Sequence, residues 1–249
     1  MSQRSRVQVS DAAPDGPSRR PVLAAIRGRL VVSCQALEGL PFNSPAMLAE
    51  MARAAELGGA IAIRANRPEN IRAIRDATSL PIIGLFKQGT TGVYITPTRA
   101  SALACVEAGS DMVALDATSR PRPNGERLAD IVEALHQTGV EVLGDVGNAN
   151  DARRAAEAGV DAVATTLRGH TEGPTLDPLG LLRTVLREVD VPVVMEGGVI
   201  SPQIARQGIE HGAWSVVVGR AITMPHFVTE MYVRELSLLS ERTVFGDDD

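Results

Sequence analysis

Lysine is almost missing from this chain: of its 25 basic residues, 24 are arginine and one, Lys87, is lysine. Aromatic residues make up only 3%, which leaves no platform for stacking single-stranded nucleic acid and shifts the core toward aliphatic packing. The two cysteines, Cys34 and Cys105, both lie in apolar segments; they exclude a disulfide framework and point to reduced thiols in a cytoplasmic protein. Cys34 has no sequence-adjacent histidine to activate it, so it reads as a packing residue. The four histidines, His136, His170, His211 and His226, form no pair at metal-ligand spacing, and no metal is expected. The glycine-rich segments lack the G-x-G-x-x-G pattern of dinucleotide sites, and no cofactor is implied. A net charge of -5 gives no general attraction to nucleic acid or anionic membranes, so an anionic substrate must be held by local groups.

The length of 249 residues and the 44% hydrophobic content suffice for a large core. Residues 1–22 are polar, rich in Ser, Pro and Arg, and have no apolar h-region, so they read as a disordered tail and not as a signal peptide or membrane span. Residues 244–249 read as a short acidic tail. Between them, residues 23–243 show eight apolar runs alternating with stretches of helical period and no polar linker. The candidate strands are 30–34, 60–64, 81–87, 112–116, 140–145, 162–166, 191–196 and 215–219. The candidate helices include 45–57, 68–77, 99–108, 127–137, 150–158 and 202–211. Four helices end in related units, such as Glu107-Ala108-Gly109-Ser110-Asp111 and Glu157-Ala158-Gly159-Val160-Asp161, where glycine closes the helix just before an apolar strand. Eight such βα units in one domain predict an α/β fold of the (β/α)8 TIM-barrel type, with an open doubly wound sheet as the alternative, since periodicity does not reveal closure.

A barrel gathers the C-terminal ends of its strands at one pocket. Here those ends are polar: Ser33-Cys34-Gln35, Arg64-Ala65-Asn66, Lys87, Asp116, Asp145, Thr165-Thr166, Glu196 and Gly219-Arg220. Single polar residues there mark only where a strand meets water; a ring with three carboxylates and three cations points to a working site. Within it Lys87 is the residue that arginine cannot replace, because a desolvated ammonium can give up its proton and act as base or nucleophile, whereas guanidinium stays charged. Glu196-Gly197-Gly198 and Gly219-Arg220 suggest a phosphate site, where backbone amides after the seventh and eighth strands approach an anion closely.

Seven segments, in order along residues 28–235, carry a more specific signal. Ser33-Cys34-Gln35-Ala36-Leu37-Glu38-Gly39, Ile63-Arg64-Ala65-Asn66, Ile82-Ile83-Gly84-Leu85-Phe86-Lys87, Tyr94-Ile95-Thr96-Pro97-Thr98, Ala114-Leu115-Asp116-Ala117-Thr118, Thr165-Thr166-Leu167 and Glu196-Gly197-Gly198 resemble the N-acetylmannosamine-6-phosphate 2-epimerases. The resemblance implies a phosphate-binding barrel of the ribulose-phosphate-binding type. It also implies interconversion of N-acetylmannosamine 6-phosphate and N-acetylglucosamine 6-phosphate in sialic acid catabolism, without a redox cofactor. By the same resemblance, Lys87 moves the C2 proton and Glu196 is the second catalytic group, while Gln35, Arg64 and Asp145 hold the phosphorylated amino sugar. Asp116 and Thr166 join them as substrate candidates, although Asp116 serves equally well as a clamp on the barrel mouth. Gly197, Gly198, Gly219 and Arg220 are the phosphate candidates.

Two departures stand out. Gly219-Arg220-Ala221-Ile222-Thr223-Met224-Pro225 has its arginine directly after the glycine and methionine before the proline, where the family has a small residue and an arginine. His170 stands where the family usually has tyrosine. A Schiff-base aldolase using Lys87 and a non-catalytic sugar-phosphate-binding barrel are the competing functions. The apolar residues Met231-Tyr232-Val233 and Leu236-Ser237-Leu238-Leu239 suit packing on the barrel or on a second subunit, as in a homodimer.

Overall fold

The computed structural model describes residues 21–36, 39–171 and 177–243, with side chains to residue 238; most of the two terminal tails expected from the sequence lies outside these residues. Eight parallel strands pair in sequence order and close: β1 (Leu30–Cys34), β2 (Ala62–Asn66), β3 (Ile82–Leu85), β4 (Met112–Asp116), β5 (Glu141–Asp145), β6 (Ala162–Ala164), β7 (Val193–Met195) and β8 (Ser215–Val218). β8 pairs back onto β1 through Val31↔Val217, so the fold is a (β/α)8 barrel and not an open sheet. Helices α2 (Pro45–Leu57), α3 (Pro68–Ala77), α4 (Arg99–Glu107), α5 (Leu128–His136), α6 (Ala149–Glu157), α7 (Pro178–Leu186) and α8 (Pro202–Glu210) follow β1 to β7. The short α9 (Arg220–Thr223) and the long α10 (Pro225–Thr243) follow β8.

Local chemistry sets these boundaries. Ser44, Asn148, Asp177 and Ser201 each accept an amide of the first helical turn, and Thr98 forms a reciprocal capping box with Ser101. The Gly109 and Gly159 units do more than stop a helix. Both glycines have positive φ, 102° and 89°, and the aspartate two residues on turns back to the preceding strand. Asp111 accepts the Ile82 amide at 2.9 Å and Asp161 accepts the Val142 amide at 2.7 Å. Each unit thus fixes the register at which a new strand joins the barrel.

Because side chains alternate along a strand, the barrel has two apolar layers. Residues such as Val32, Ile63, Ile82, Val113, Val142, Val163 and Val216 face the helices, together with Cys34 and Cys105. Val31, Ala62, Ile83, Leu85, Met112, Ala114, Leu143, Ala164, Val194 and Val217 fill the interior. Helix α1 (Val22–Ile26) closes the N-terminal end: Val22 and Ile26 are fully buried in the interior cluster. Glu141 of β5 accepts the amides of Val22 and Leu23 at 2.6 and 2.9 Å, and the Trp214 indole donates to the Leu23 carbonyl at 2.8 Å. Val22, which the sequence reading placed in the tail, thus packs into the interior of the barrel.

Candidate active site

The interior parity that carries Val31, Ala62, Leu85, Ala114, Leu143, Ala164, Val194 and Val217 continues, one step further up each strand, as Ser33, Arg64, Lys87, Asp116, Asp145, Thr166, Glu196 and Gly219. The polar ring read from the sequence is the top layer of the barrel core. β2 lies two residues later than expected, so Arg64 is inside the strand, Asn66 ends it, and both point inward. β6 is shorter than expected, and Thr165 and Thr166 sit in a 3-10 turn, Thr165–Leu167.

Arg64 is the centre of the layer and is 1% exposed. Its guanidinium donates to Asp145 Oδ2 at 2.5 Å, to Glu196 Oε2 and to Thr166 Oγ1 at 3.2 Å. Thr166 donates onward to Asp145 Oδ1 at 2.6 Å and contacts Glu196 Oε2 at 3.1 Å. Thr165 accepts the Glu196 amide at 3.0 Å and donates to its carbonyl at 2.8 Å. Burial alone would lower the proton affinity of Arg64, but Asp145 and Glu196 outweigh it and hold the guanidinium charged.

One cation cannot neutralise two buried carboxylates, and the imbalance falls on Glu196 and Lys87. Burial pushes the Glu196 carboxyl above the usual glutamate range; Arg64 opposes that shift and the Asp145 charge reinforces it. Lys87 is pushed below the ordinary lysine value, first by burial and then by Arg64, with Glu196 and Asp145 pulling the other way. Among the described residues Lys87 forms no ion pair; the pairs of this layer are Arg64–Asp145 and Arg64–Glu196. The arrangement poises an amine that gives up its proton more readily than an ordinary lysine near a carboxyl that keeps one more readily than an ordinary glutamate, which suits acid and base work.

Lys87 and Glu196 open onto one cavity of about 380 Å³, which Gln35, Thr166, Gly197, Gly198, Gly219 and Arg220 also line. That volume suits a small polar ligand. At the Gly197 end, φ is 88° and 82° at Gly197 and Gly198, so side chains are disfavoured on both steric and conformational grounds. Gly219 precedes α9, and Arg220 at the rim is exposed, its guanidinium stacked 4.9 Å from the centre of the Phe227 ring. Met224 and His170 line the same cavity.

Asp116 belongs to the ring by parity, but its carboxylate is engaged elsewhere. It accepts Thr118 N at 3.0 Å, Thr118 Oγ1 at 2.7 Å and Arg120 Nη2 at 2.7 Å, and it is fully buried. The structure thus places it as the anchor of the loop after β4. Three residues that the sequence reading placed only within strand ends or motifs, without a role, also shape the site. Asn66 accepts the Lys87 amide at 2.9 Å, Tyr94 lines the cavity beside Lys87, and Thr165 clasps Glu196. Asn66 and Thr165 were legible as polar strand ends, and Tyr94 as part of a motif segment, but no sequence signal assigned them these contacts. Among the described residues no group of three or more His, Cys, Asp or Glu is placed to hold a metal, and no helix is long and apolar enough to cross a membrane.

A family profile described as "Putative N-acetylmannosamine-6-phosphate epimerase" matches residues 48–237. A protein of Clostridioides difficile named as a 2-epimerase for N-acetylmannosamine 6-phosphate is 41% identical over 225 residues, covering 87% of this chain and all of that one. One of the same name from Thermosynechococcus vestitus is 44% identical, covering 85% and 94% of the two chains. The solved N-acetylmannosamine-6-phosphate 2-epimerase of Clostridium perfringens superposes with a TM-score of 0.84 at 36% identity, over 89% of this chain and 99% of that one.

Proposed function

The chain belongs to the N-acetylmannosamine-6-phosphate 2-epimerase family, and from that premise we propose that Lys87 and Glu196 carry its reaction. It is an isomerase interconverting N-acetylmannosamine 6-phosphate and N-acetylglucosamine 6-phosphate. The two sugars differ only at C2, which lies next to the C1 aldehyde of the open chain. Lys87, as the neutral amine, removes the C2 proton, and the electron pair of the C–H bond moves through C1 onto the aldehyde oxygen. Glu196, as the carboxylic acid, donates a hydrogen bond or proton to that developing oxyanion and serves ring opening in the same protonation state. The Lys87 ammonium then returns a proton to the opposite face of C2. The observation that carries this reading is the pairing itself: the chain's one lysine, pushed toward the neutral amine, shares a cavity with a carboxyl pushed toward its acid form.

Arg64 and Asp145 hold Glu196 in place and leave Thr166 and Gln35 to meet the sugar hydroxyls and acetamido group. Asp116 fixes the loop at the mouth. The phosphate lies at the Gly197, Gly198 and Gly219 amides, with Arg220 supplying charge from the rim in place of residue 224.

The test is incubation of N-acetylmannosamine 6-phosphate with the protein in deuterium oxide, followed by NMR. The expected result is N-acetylglucosamine 6-phosphate carrying deuterium at C2. A proton taken by Lys87 becomes one of three on the ammonium, so internal return is a minority outcome and label dominates. Folded protein that neither converts nor labels the substrate overturns the proposal. Reductive trapping by borohydride of a covalent adduct at Lys87 would instead favour the Schiff-base reading.

The protein is further proposed to be a homodimer in a cytoplasmic setting, the latter in keeping with two buried free thiols. An apolar groove of about 390 Å³ runs over the outer face of β8 and β1, lined by Leu30, Ala205, Ile209, Val216, Val218 and Ile222. The eighth large helix of a barrel normally lies there. Here α10 packs chiefly on the short α9 and leaves Tyr232 69% and Leu236 62% exposed. A second copy's α10 is the occupant of matching chemistry. Light scattering should give twice the chain mass for the wild type and the monomer mass for Tyr232→Asp/Leu236→Asp; a wild-type monomer contradicts it.

A further inference from the structure

We infer that Thr96 is a positioning residue for Lys87, replacing with one hydroxyl the strand pairing that β3 lacks where it delivers the lysine to the pocket. The inference rests on the role proposed for Lys87. It starts from an irregularity in the barrel. β4 and β5 pair over five residues, up to Asp116↔Asp145. β3 and β4 pair only at Ile83↔Met112 and Gly84↔Val113. Beyond Gly84 the two strands part, so Leu85, Phe86 and Lys87 have no β4 neighbour on that side.

The segment after Lys87 fills the split. It turns back on itself, with the Gln88 amide donating to the Tyr94 carbonyl at 2.9 Å and Lys87 facing Ile95 across an antiparallel bridge. It then enters the gap. The Thr96 amide donates to the Phe86 carbonyl at 2.9 Å, and Thr96 Oγ1 accepts the Phe86 amide at 3.0 Å. The same hydroxyl donates to the Ala114 carbonyl of β4 at 2.7 Å, while Ile95 accepts the Asp116 amide at 2.9 Å. One oxygen therefore joins β3 to β4 by accepting from one strand and donating to the other. Thr96 is fully buried and has a φ of 47°, a region that a β-branched residue seldom occupies. Asparagine or glycine would adopt that backbone more easily, so the hydroxyl, and not the turn, accounts for threonine here.

Lys87 is consequently gripped from two sides: Asn66 of β2 takes its amide, and Thr96 fixes the peptide immediately before it. Removal of the hydroxyl leaves the Phe86 amide and the Ala114 carbonyl without their partner in a buried split, and β3 relaxes outward. The Lys87 amine then moves relative to Arg64 on β2, Asp145 on β5, Glu196 just after β7, and Tyr94 and His170 at the cavity wall. A displacement of about 1 Å costs of order 100-fold in rate, while the sugar, held mainly by other strands, still binds.

The experiment compares Thr96→Ser, which keeps the hydroxyl, with Thr96→Val, which keeps the shape, using N-acetylmannosamine 6-phosphate as substrate and Lys87→Met as a control. Expected are near-wild-type turnover for Thr96→Ser and a kcat about 100-fold lower for Thr96→Val with KM little changed. The acid limb of the Thr96→Val pH profile should move to higher pH, because a lysine released toward water recovers its ordinary proton affinity. Should Thr96→Val not fold, Thr96→Ala serves as the hydroxyl-free variant. Equal kcat in the serine variant and the hydroxyl-free variant, or a loss in KM alone, overturns the inference. An inactive Lys87→Met alongside an intact Thr96→Val refutes only the role of Thr96. An active Lys87→Met refutes the reading of Lys87 beneath it.

Discussion

Replacement of Lys87 by methionine should abolish turnover and at the same time stabilise the fold. Methionine fills the space of the lysine stem but carries no proton. Loss of a general base typically costs about 100- to 10,000-fold in rate, equivalent to about 3–5 kcal/mol of barrier. The stability change follows from linkage. Lys87 in the folded protein binds its proton less tightly than at its ordinary value of 10.5, so between the two values the unfolded chain holds a proton that the folded chain has released. Wild-type stability therefore rises with pH across that window, and below it the full penalty of burying the ammonium applies, about 1.4 kcal/mol for each tenfold loss of proton affinity. Lys87→Met escapes this penalty. Its advantage in urea unfolding should be largest at neutral pH and below, and should shrink as pH approaches 10.5. A variant less stable than wild type by a margin that does not change with pH would refute the reasoning, as would residual turnover close to wild type.

Three further outcomes follow from the same structure. Arg64→Leu leaves Asp145 and Glu196 without their shared cation and should cost about 3–5 kcal/mol in urea unfolding; a variant as stable as the wild type would contradict the pairing described. Cys34 and Cys105 are buried, with thiols pushed up to about 12, so an aromatic disulfide reagent should label them slowly in the native protein and rapidly in denaturant; fast native labelling would contradict the packing described. Glu141→Gln weakens the carboxylate that caps α1 and should cost about 1 kcal/mol, reported by the fluorescence of Trp214, the chain's single tryptophan.

The architecture was legible because each βα unit carries its own punctuation. The Gly-x-Asp turns at Gly109 and Gly159 and β-branched runs such as Val216-Val217-Val218 are local signals. The boundaries were harder. In a parallel barrel both faces of a strand are apolar, so no alternation marks where Ala60 and Ile61 stop being turn and Ala62 begins β2. The ring of polar strand ends was legible for the opposite reason: Arg64, Asp145 and Glu196 interrupt apolar runs. What could not be read was which of them satisfy one another. Asp116 and Asp145 look alike as strand-ending aspartates, yet one holds a loop through Thr118 and Arg120 and the other holds Arg64. Nor does the sequence reveal that Thr96 takes a left-handed backbone, since threonine disfavours it. Helix α1 escaped notice because five residues are too few to show a period, and its burial depends on Glu141 and Trp214 from distant parts of the chain.

The scarcity of lysine makes the protonation of Lys87 directly measurable. Protein grown with lysine labelled at Cε and Nζ contains a single labelled side chain, Lys87, so its NMR titration needs no assignment. The expected result is one resonance whose midpoint lies below the ordinary lysine value of 10.5, leaving a neutral amine available to take the C2 proton. A midpoint at or above 10.5 would mean that Lys87 stays an ammonium throughout the working range, and it could not then be the base.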